Sequence, residues 1–116
     1  MIYAFHDFEL DTERVELREK DVAVAVEPQV FALLRFLIEN RERMVTKDEI
    51  VTAVWNGRIV SDSAITSRIK TARQVVGDNG RAQSIIRTVH GLGFAFVAEV
   101  TTRATLSVAK SEEGVT

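Results

Sequence analysis

The sequence predicts an α+β fold that contains an N-terminal antiparallel sheet, three helices and a C-terminal β-hairpin. Three patterns indicate this fold. Residues 2–26 alternate apolar and polar side chains, as half-buried strands do. Three segments between residues 28 and 77 repeat apolar residues at spacings of three and four, the period of an amphipathic helix. Residues 84–97 form two β-rich runs around a glycine-containing connection, which is typical of a hairpin.

Length and composition are those of one globular domain. The chain has 116 residues, of which 46% are hydrophobic and 28% charged. It has no cysteine, which excludes disulfides and thiolate metal sites. No apolar stretch approaches the ~20 residues that a membrane span needs, and the first residues do not resemble a signal peptide. We therefore expect a cytoplasmic protein without membrane contact, with a domain at residues 1–100 and a linker or tail at residues 101–116.

Charge is distributed unevenly along the chain, although its sum is only −2. Residues 1–62 carry 8 basic and 13 acidic side chains, whereas residues 63–100 carry 5 basic and 2 acidic ones. A local cationic patch can attract phosphate even on an acidic protein. The distribution therefore allows nucleic-acid binding through the second half of the chain, with few phosphates neutralised.

The N-terminal sheet is predicted from residues two apart with polar or small residues between them, since that spacing gives one buried and one solvated face. Turn-like residues separate the strands at 11–13 and 19–21. The apolar residues assigned to the buried face are Phe8, Leu10, Val15, Leu17, Val22, Val24 and Val26.

The first helix is expected to begin at Pro28, because proline suits the first helical position, and to end near Asn40. Its broad apolar face assigns it to the core. That face consists of Val30, Phe31, Leu33, Leu34, Leu37 and Ile38.

The second helix is predicted to begin with a capping box, in which Thr46 and Glu49 satisfy each other's backbone N–H groups. It runs to about Trp55, which we interpret as a core anchor. Its inward residues are predicted to be Ile50, Ala53 and Val54.

The third helix is the segment that the functional interpretation depends on, and it is predicted to occupy residues 62–76. Ser61 or Asp62 can cap its start, and Gly77 suits a left-handed stop at its end. Its apolar stripe consists of Ile65, Ile69, Ala72 and Val76. The opposite face carries Ser63, Ser67, Lys70, Thr71 and Gln74, while Thr66 and Arg73 lie on one flank of the stripe and Arg68 on the other.

Only residues 56–60 separate the second helix from the third, which is the arrangement of a helix-turn-helix. Three helices with an adjoining hairpin, predicted at residues 85–97, define a winged helix. In such a fold the third helix enters the major groove of DNA, and the hairpin lies on the adjacent backbone and reaches the minor groove. The sequence therefore predicts sequence-specific binding of double-stranded DNA through the third helix.

The predicted contacts are of two kinds. Cationic side chains are expected to neutralise phosphates, namely Arg68, Lys70, Arg73 and Arg87. Short polar side chains and an amide are expected to read bases, namely Thr66, Ser67, Thr71 and Gln74.

Three segments resemble the winged helix-turn-helix domain of OmpR/PhoB-type transcription regulators. They are VEPQVFALLRFLIENRERMVTKDEIVTAVW, then ARQVVGD, and then IIRTVHGLGFAFVA, which is similar to the family's I-x-T-V-x-G-x-G-Y-x-F hairpin. The resemblance covers residues 3–97. Because the domain begins at residue 1, the arrangement is similar to that of CadC/ToxR-type regulators, which implies that a sensor or effector region follows residue 116 or that the chain stands alone.

The resemblance implies roles for individual residues. Thr66, Ser67, Lys70, Thr71 and Gln74 fall at base- and phosphate-contacting positions, and Arg73 matches a recurrent phosphate-contacting arginine. Thr88 and His90 match wing-tip positions that touch backbone and minor groove. The loop that contains Asn56, Gly57 and Arg58 matches a segment that contacts RNA polymerase in family members. Phe94 replaces the family's usual tyrosine, and His90 stands where arginine is frequent.

Two other function classes compete with this reading. An enzyme would need a nucleophile beside a base or a cluster of metal ligands. His6 and His90 lie in opposite halves of the chain, and Gly91-Leu92-Gly93 lies in a hairpin rather than between a strand and a helix. We therefore expect no enzyme activity, no metal and no cofactor.

The second alternative is a winged-helix protein–protein interaction module that does not bind DNA. The negative net charge of the chain favours this alternative. Such a module would use an apolar patch such as Ile59 and Val60 and would tolerate Lys70→Glu, which a DNA-binding domain would not. Because single winged helices gain specificity on repeated half-sites, a homodimer or tandem binding on DNA is also expected.

Overall fold

The computed structural model describes residues 1–104, which form two antiparallel sheets and three helices. In chain order the elements are β1 (Ile2–Phe5), β2 (Phe8–Asp11), β3 (Glu16–Glu19), β4 (Val22–Val24), α1 (Pro28–Glu39), β5 (Val45–Thr46), α2 (Lys47–Trp55), α3 (Asp62–Val75), β6 (Ile86–Val89), β7 (Gly93–Phe96) and β8 (Thr101–Arg103). The N-terminal sheet, the three helices and the C-terminal hairpin are therefore confirmed in the predicted order.

The N-terminal sheet has five strands in the order β4-β3-β2-β1-β8. Its inner face buries Leu10 and Leu17, as the alternation predicts, but Val15 and Val22 are 63% and 67% exposed. Val15 lies in the β2–β3 turn with φ at +53°, in a loop that the Asp11 carboxylate closes by accepting backbone N–H bonds. Val22 begins an edge strand. The prediction that both valines are buried was therefore wrong.

The last strand of this sheet was not predicted. Thr101–Arg103 pairs antiparallel with β1, and Arg103 Nη1 donates to Glu9 Oε2 at 2.9 Å. The sheet therefore includes three residues that the sequence assigned to a linker. All three side chains of β8 are exposed, so the strand has no apolar pattern, and only the free backbone edge of β1 defines it. The rest of the predicted tail, residues 105–116, lies outside the described residues.

The first helix confirms the predicted core face, since all six of its assigned apolar residues are buried. In α2 the capping box is present: Glu49 N donates to Thr46 Oγ1 at 3.1 Å, and Thr46 N donates to Glu49 Oε1 at 2.8 Å. Ala53, expected inward, is exposed. The buried side of α2 is centred between Ile50 and Val54 and includes Val51, which turns Ala53 outward at about 100° per residue.

The C-terminal hairpin gains a third strand, because β5 pairs with β7 in the order β5-β7-β6. Gly93 makes this pairing possible, since a Cβ atom there would collide with the Val45 carbonyl oxygen. Phe96 on β7 packs edge-on against Phe5 on β1, with ring centroids 5.1 Å apart. One core therefore joins the hairpin, the helices and the N-terminal sheet.

Candidate nucleic-acid interface

The third helix is fixed by a cap at its start and by an apolar stripe along one side. Ser61 Oγ accepts a hydrogen bond from the Ala64 N–H at 3.1 Å. Gly77 follows the last turn with φ at +76°, the left-handed conformation that glycine accepts most easily. The stripe residues are all at most 3% exposed, namely Ile65, Ile69, Ala72 and Val76. Because this side is buried, the opposite side of α3 must project from the domain.

The projecting side is polar and open. The exposed side chains on it are Ser63, Thr66, Ser67, Lys70 and Gln74, which we call the outer face of α3. Thr71 is half-buried, and its hydroxyl donates to the Ser67 carbonyl oxygen at 3.2 Å. The structure therefore brings together three of the four predicted base-reading residues and one predicted phosphate-binding residue, with Thr71 partly committed to its own helix.

Arg68 lies on the flank of α3 and is half-buried. Its Nε donates to Gln29 Oε1 at 2.6 Å, which ties α3 to the first turn of α1. No ion pair involves Arg68 within residues 1–104. Arg68 therefore links α3 to α1 by a hydrogen bond, while its positive charge has no ion-pair partner within residues 1–104.

Arg73, predicted on the flank of the apolar stripe as a phosphate contact, is buried. The side chain is only 8% exposed. Nε and Nη2 donate to the Ile86 carbonyl oxygen at 3.1 and 3.0 Å, and Nη2 also donates to Thr88 Oγ1 at 2.8 Å. Burial lowers the pKa of this guanidinium, and the Asp78 carboxylate partly offsets that effect. Arg73 therefore joins α3 to β6. Of its three guanidinium nitrogens, only Nη1 makes no hydrogen bond within the described residues.

The wing residues do not share one surface. Thr88 is half-buried in β6 and faces α3 through Arg73, so it lies beside the wing tip rather than at it, and its contact with DNA stays a prediction. Arg87 is exposed, but successive strand residues point to opposite faces, so it projects from the side of β6 that faces away from Arg73. His90 is exposed in the turn between β6 and β7. Only His90 therefore occupies the predicted tip.

A buried carboxylate organises the start of the wing. Asp78 is 6% exposed. Oδ1 accepts hydrogen bonds from Asn79 N and from Ser84 N and Oγ, and Oδ2 accepts from Ile85 N and Ile86 N, at 2.8–3.1 Å. Burial raises the pKa of this carboxyl, but the backbone N–H bonds outweigh burial and hold the pKa at about 2. The only sequence signal was a short polar residue directly after a helix stop.

Gln83 braces the same turn. Its Oε1 accepts from the Thr88 N–H at 2.8 Å, and its Nε2 donates to the Gly80 carbonyl oxygen at 2.8 Å. The residue has φ at +45°, an uncommon conformation for a side chain of this size. The segment from Asp78 to Ser84 is therefore a rigid connector that holds the wing against α3.

The connection between α2 and α3 is tight and exposed. Asn56 and Gly57 take left-handed conformations with φ at 55° and 78°. Arg58 and Ile59 project into solvent, whereas Val60 packs against the core. The predicted polymerase-contact residues, Asn56, Gly57 and Arg58, are thus accessible, and their role stays a prediction.

Some cations of the domain are paired with carboxylates, and others are not. Arg18, Arg35, Arg43 and Lys47 on the first half are paired with carboxylates. Exposed cations without an ion pair within residues 1–104 are Arg14, Lys20, Arg58, Lys70, Arg81 and Arg87. Of these, Lys70 projects from the outer face of α3.

The part of the chain that the structure describes contains no group of three or more His, Asp or Glu residues that could hold a metal ion. In that same part, no helix combines the length and apolarity that crossing a membrane requires.

A capped third helix, a short turn before it and a three-stranded wing beside it define a winged helix-turn-helix domain. The family model described as "Transcriptional regulatory protein, C terminal" matches residues 20–96. The chain therefore belongs to this family of OmpR/PhoB-type DNA-binding domains of transcription regulators.

Several known proteins share this domain. PhoP of Bacillus subtilis, an alkaline phosphatase synthesis regulator, is 28% identical over 89 residues, which are 76% of this chain and 37% of PhoP. The Salmonella typhi regulator HilA is 27% identical over 81% of this chain and 17% of HilA. The chain thus spans well under half of either relative.

Solved structures give the same fold. The Thermotoga maritima response regulator DrrB, an OmpR/PhoB homolog, has a TM-score of 0.75 and 26% identity over 83% of this chain and 44% of DrrB. The Klebsiella pneumoniae RstA domain, solved in complex with its RstA box, has a TM-score of 0.74 and 19% identity over 83% of this chain and 96% of that one. The Escherichia coli CadC DNA-binding domain has a TM-score of 0.74 and 21% identity over 86% and 94% of the two chains.

Proposed function

We propose that this chain binds duplex DNA sequence-specifically as the DNA-contacting part of a transcription regulator. The third helix enters the major groove with its outer face, and the wing tip meets the adjacent backbone and minor groove. The relatives support this proposal because they are transcription regulators, and the RstA domain of the same fold is bound to its DNA box.

The observation that carries the proposal is the composition of the outer face of α3. Its side chains are short hydroxyls, one amide and one lysine, and no acidic residue lies between residues 63 and 77. Small side chains permit close approach to base edges, and an amide can bond an adenine edge with two hydrogen bonds. Thr66, Ser67 and Gln74 are therefore the proposed base readers, with Thr71 contributing an acceptor.

Phosphate contacts are assigned by exposure. Lys70 projects from the outer face of α3 and is the main proposed phosphate contact there. His90 is the proposed contact of the wing tip, where a ring N–H can donate a hydrogen bond to a phosphate oxygen. Arg68 lies on the flank of α3, and Arg87 lies on the side of β6 that faces away from Arg73. We therefore propose that these two residues contact the DNA backbone only where the DNA curves around the domain.

Lys70→Glu tests the proposal, with Lys20→Glu as a matched control. Lys20 lies in the β3–β4 turn, is exposed and makes no ion pair within residues 1–104, so the same charge change occurs away from α3. Fluorescence anisotropy with a labelled duplex at about 50 mM salt should show that Lys70→Glu lowers the affinity roughly tenfold or more and Lys20→Glu less than about twofold. Because Lys70→Glu removes one phosphate contact, its salt slope should also fall by about 0.9. Equal losses would contradict a DNA-facing α3.

A protein-contact role is a second candidate, because Ile59 is fully exposed beside Arg58 in the α2–α3 connection. We propose that RNA polymerase is the partner if this loop acts in transcription. Ile59→Asp should then reduce transcription from a target promoter while DNA affinity stays unchanged. If DNA binding is absent and Ile59→Asp abolishes binding to a protein partner, the domain is an interaction module.

Assembly and location follow from the same proposal. Two copies on repeated half-sites, as a homodimer or in tandem, would raise specificity above that of one small domain. A DNA-binding regulator related to these bacterial proteins acts in the cytoplasm, where bacterial DNA lies.

A further inference from the structure

A pocket of about 300 Å³ lies between α3 and the turn that follows it. Its lining joins the outer face of α3 to that turn and consists of Thr66, Lys70, Arg73, Gln74, Asn79 and Gly80. Because three of these residues also belong to the outer face of α3, a duplex held by α3 passes over the mouth of the pocket.

The donors at this pocket that lack a partner within the described residues include one on the Arg73 guanidinium and one on the backbone of Gly80. Arg73 uses Nε and Nη2 on Ile86 and Thr88, which leaves Nη1 without a hydrogen bond. The backbone N–H of Gly80 also makes no hydrogen bond among residues 1–104. The two groups are neighbours, since Nη1 lies 3.9 Å from the position of a Cβ atom built on Gly80. A charged donor that is more than nine-tenths buried thus points toward an opening with an adjacent free N–H.

The nearby Asp78 carboxylate does not occupy these donors. Both of its oxygens accept hydrogen bonds from Asn79, Ser84, Ile85 and Ile86. Its charge is therefore committed to the backbone that builds the turn, whereas Lys70 and Arg73 supply positive charge at the pocket.

We propose that the turn at Asn79–Gly80 is a third DNA-contacting element, in which a backbone phosphate seated in this pocket accepts hydrogen bonds from the Gly80 N–H and from Arg73 Nη1. Lys70 lies at the same pocket and adds its charge. This inference rests on the proposed DNA binding and extends it to a segment outside the recognition helix and the wing. Charged donors and oriented backbone N–H groups together make a strong phosphate site.

The turn is built before any ligand arrives. Asn79 Oδ1 accepts from Arg81 N at 2.9 Å and from Ala82 N at 2.7 Å, and Gln83 Nε2 holds the Gly80 carbonyl oxygen at 2.8 Å. Binding at a preformed turn costs little ordering free energy. Gly80 also keeps the site open, because any side chain there would extend over Arg73 Nη1.

Gly80→Glu is the direct test, since its carboxylate would pair with Arg73 and exclude a phosphate. Gly80 does not have the left-handed φ of Gly57, Gly77 and Gly91, so a side chain is accepted without backbone strain. Gly80→Gln keeps the size without the charge. Ala82→Glu adds the same charge to the same turn, but Ala82 does not line the pocket, and it serves as the matched control.

The probe is a labelled duplex of random sequence, measured by anisotropy at about 50 and about 200 mM salt. Wild type should lose about threefold more affinity between these salts than Gly80→Glu does, because one phosphate contact adds about 0.9 to the salt slope. Gly80→Gln should weaken binding less than Gly80→Glu, and Ala82→Glu should keep the wild-type slope. Unchanged thermal unfolding shows that each variant is folded.

Three results would overturn the inference. Equal slopes for Gly80→Glu and wild type would show that no phosphate sits in the pocket, while wild-type binding would leave the proposed function standing. Equal losses of duplex affinity for Gly80→Glu and Ala82→Glu would show that the added negative charge only repels DNA in general. Inorganic phosphate that shifts the Gly80 amide resonance, without any effect of Gly80→Glu on DNA binding, would assign the pocket to a free anion. A folded wild type that binds no duplex would refute the proposed function itself.

Discussion

Replacing Asp78 by asparagine should loosen the joint between α3 and the wing. The carboxylate is almost completely buried and accepts hydrogen bonds from five donors. An asparagine of nearly equal size keeps one acceptor oxygen and turns an NH2 group toward donors that then have no partner. Each buried donor left without a partner costs about 1–3 kcal/mol.

The magnitude can also be estimated from ionisation. The pKa of Asp78 is about 2 in the folded protein against an ordinary value of 3.8, so the ionised carboxylate contributes about 2 kcal/mol to stability at neutral pH. Because the folded pKa is the lower one, this contribution is fully present above pH 3.8 and is lost as the pH falls toward 2. We expect Asp78→Asn to lower the free energy of unfolding by about 3 kcal/mol at pH 7.

Urea unfolding followed by circular dichroism measures this difference, with Asp7→Asn as the control because Asp7 is exposed in the β1–β2 turn. The gap between wild type and Asp78→Asn should shrink by about 1 kcal/mol between pH 7 and pH 3, while the other carboxylates cancel in the comparison. A loss below about 1 kcal/mol at neutral pH, or a gap that is the same at both pH values, would contradict a stabilising role of the ionised Asp78 carboxylate.

Three further results are expected. Gly93→Ala places a Cβ atom against the Val45 carbonyl oxygen and should destabilise the domain by about 3 kcal/mol or prevent folding, as circular dichroism will show; wild-type stability would contradict the tight β5–β7 pairing. Thr46→Ala removes a cap on α2 and should cost about 1 kcal/mol in thermal unfolding without changing the salt slope of DNA binding, whereas a changed slope would place Thr46 at the DNA. Gln74→Ala should reduce discrimination between a selected and a random duplex by about 1–3 kcal/mol at constant salt slope, and equal losses on both duplexes would rule out base reading.

Periodic apolar residues made most of the fold predictable. The six buried residues of α1 and the four of α3 lie at helical spacing, and that spacing alone identifies the face that packs inward. The capping box of α2 was equally visible, because it depends on two residues three apart. These features are local, so the sequence displays them directly.

Elements defined by backbone pairing were not predictable. The two-residue strand β5 and the exposed strand β8 carry no pattern of their own, since each exists only because a free strand edge lies beside it. Val15 and Val22 were misplaced for the related reason that alternation does not show where a turn or an edge interrupts a sheet.

The candidate site was predictable at its centre and not at its borders. Exposure of Thr66, Ser67, Lys70 and Gln74 follows from the helix period. The burial of Arg73 depends on a contact 13 residues away along the chain, at Ile86, which no local pattern reveals. A basic residue on a helix flank looks the same in sequence whether it meets solvent or braces a neighbouring strand.

Anisotropy of a labelled random duplex with wild-type protein at about 50 and about 200 mM salt tests whether the outer face of α3 binds DNA. We expect binding at the lower salt that falls several-fold at the higher one, because Lys70 and its neighbours displace counterions from phosphates. A folded protein that does not bind at the lower salt, or whose binding does not depend on salt, would contradict a DNA-binding outer face of α3.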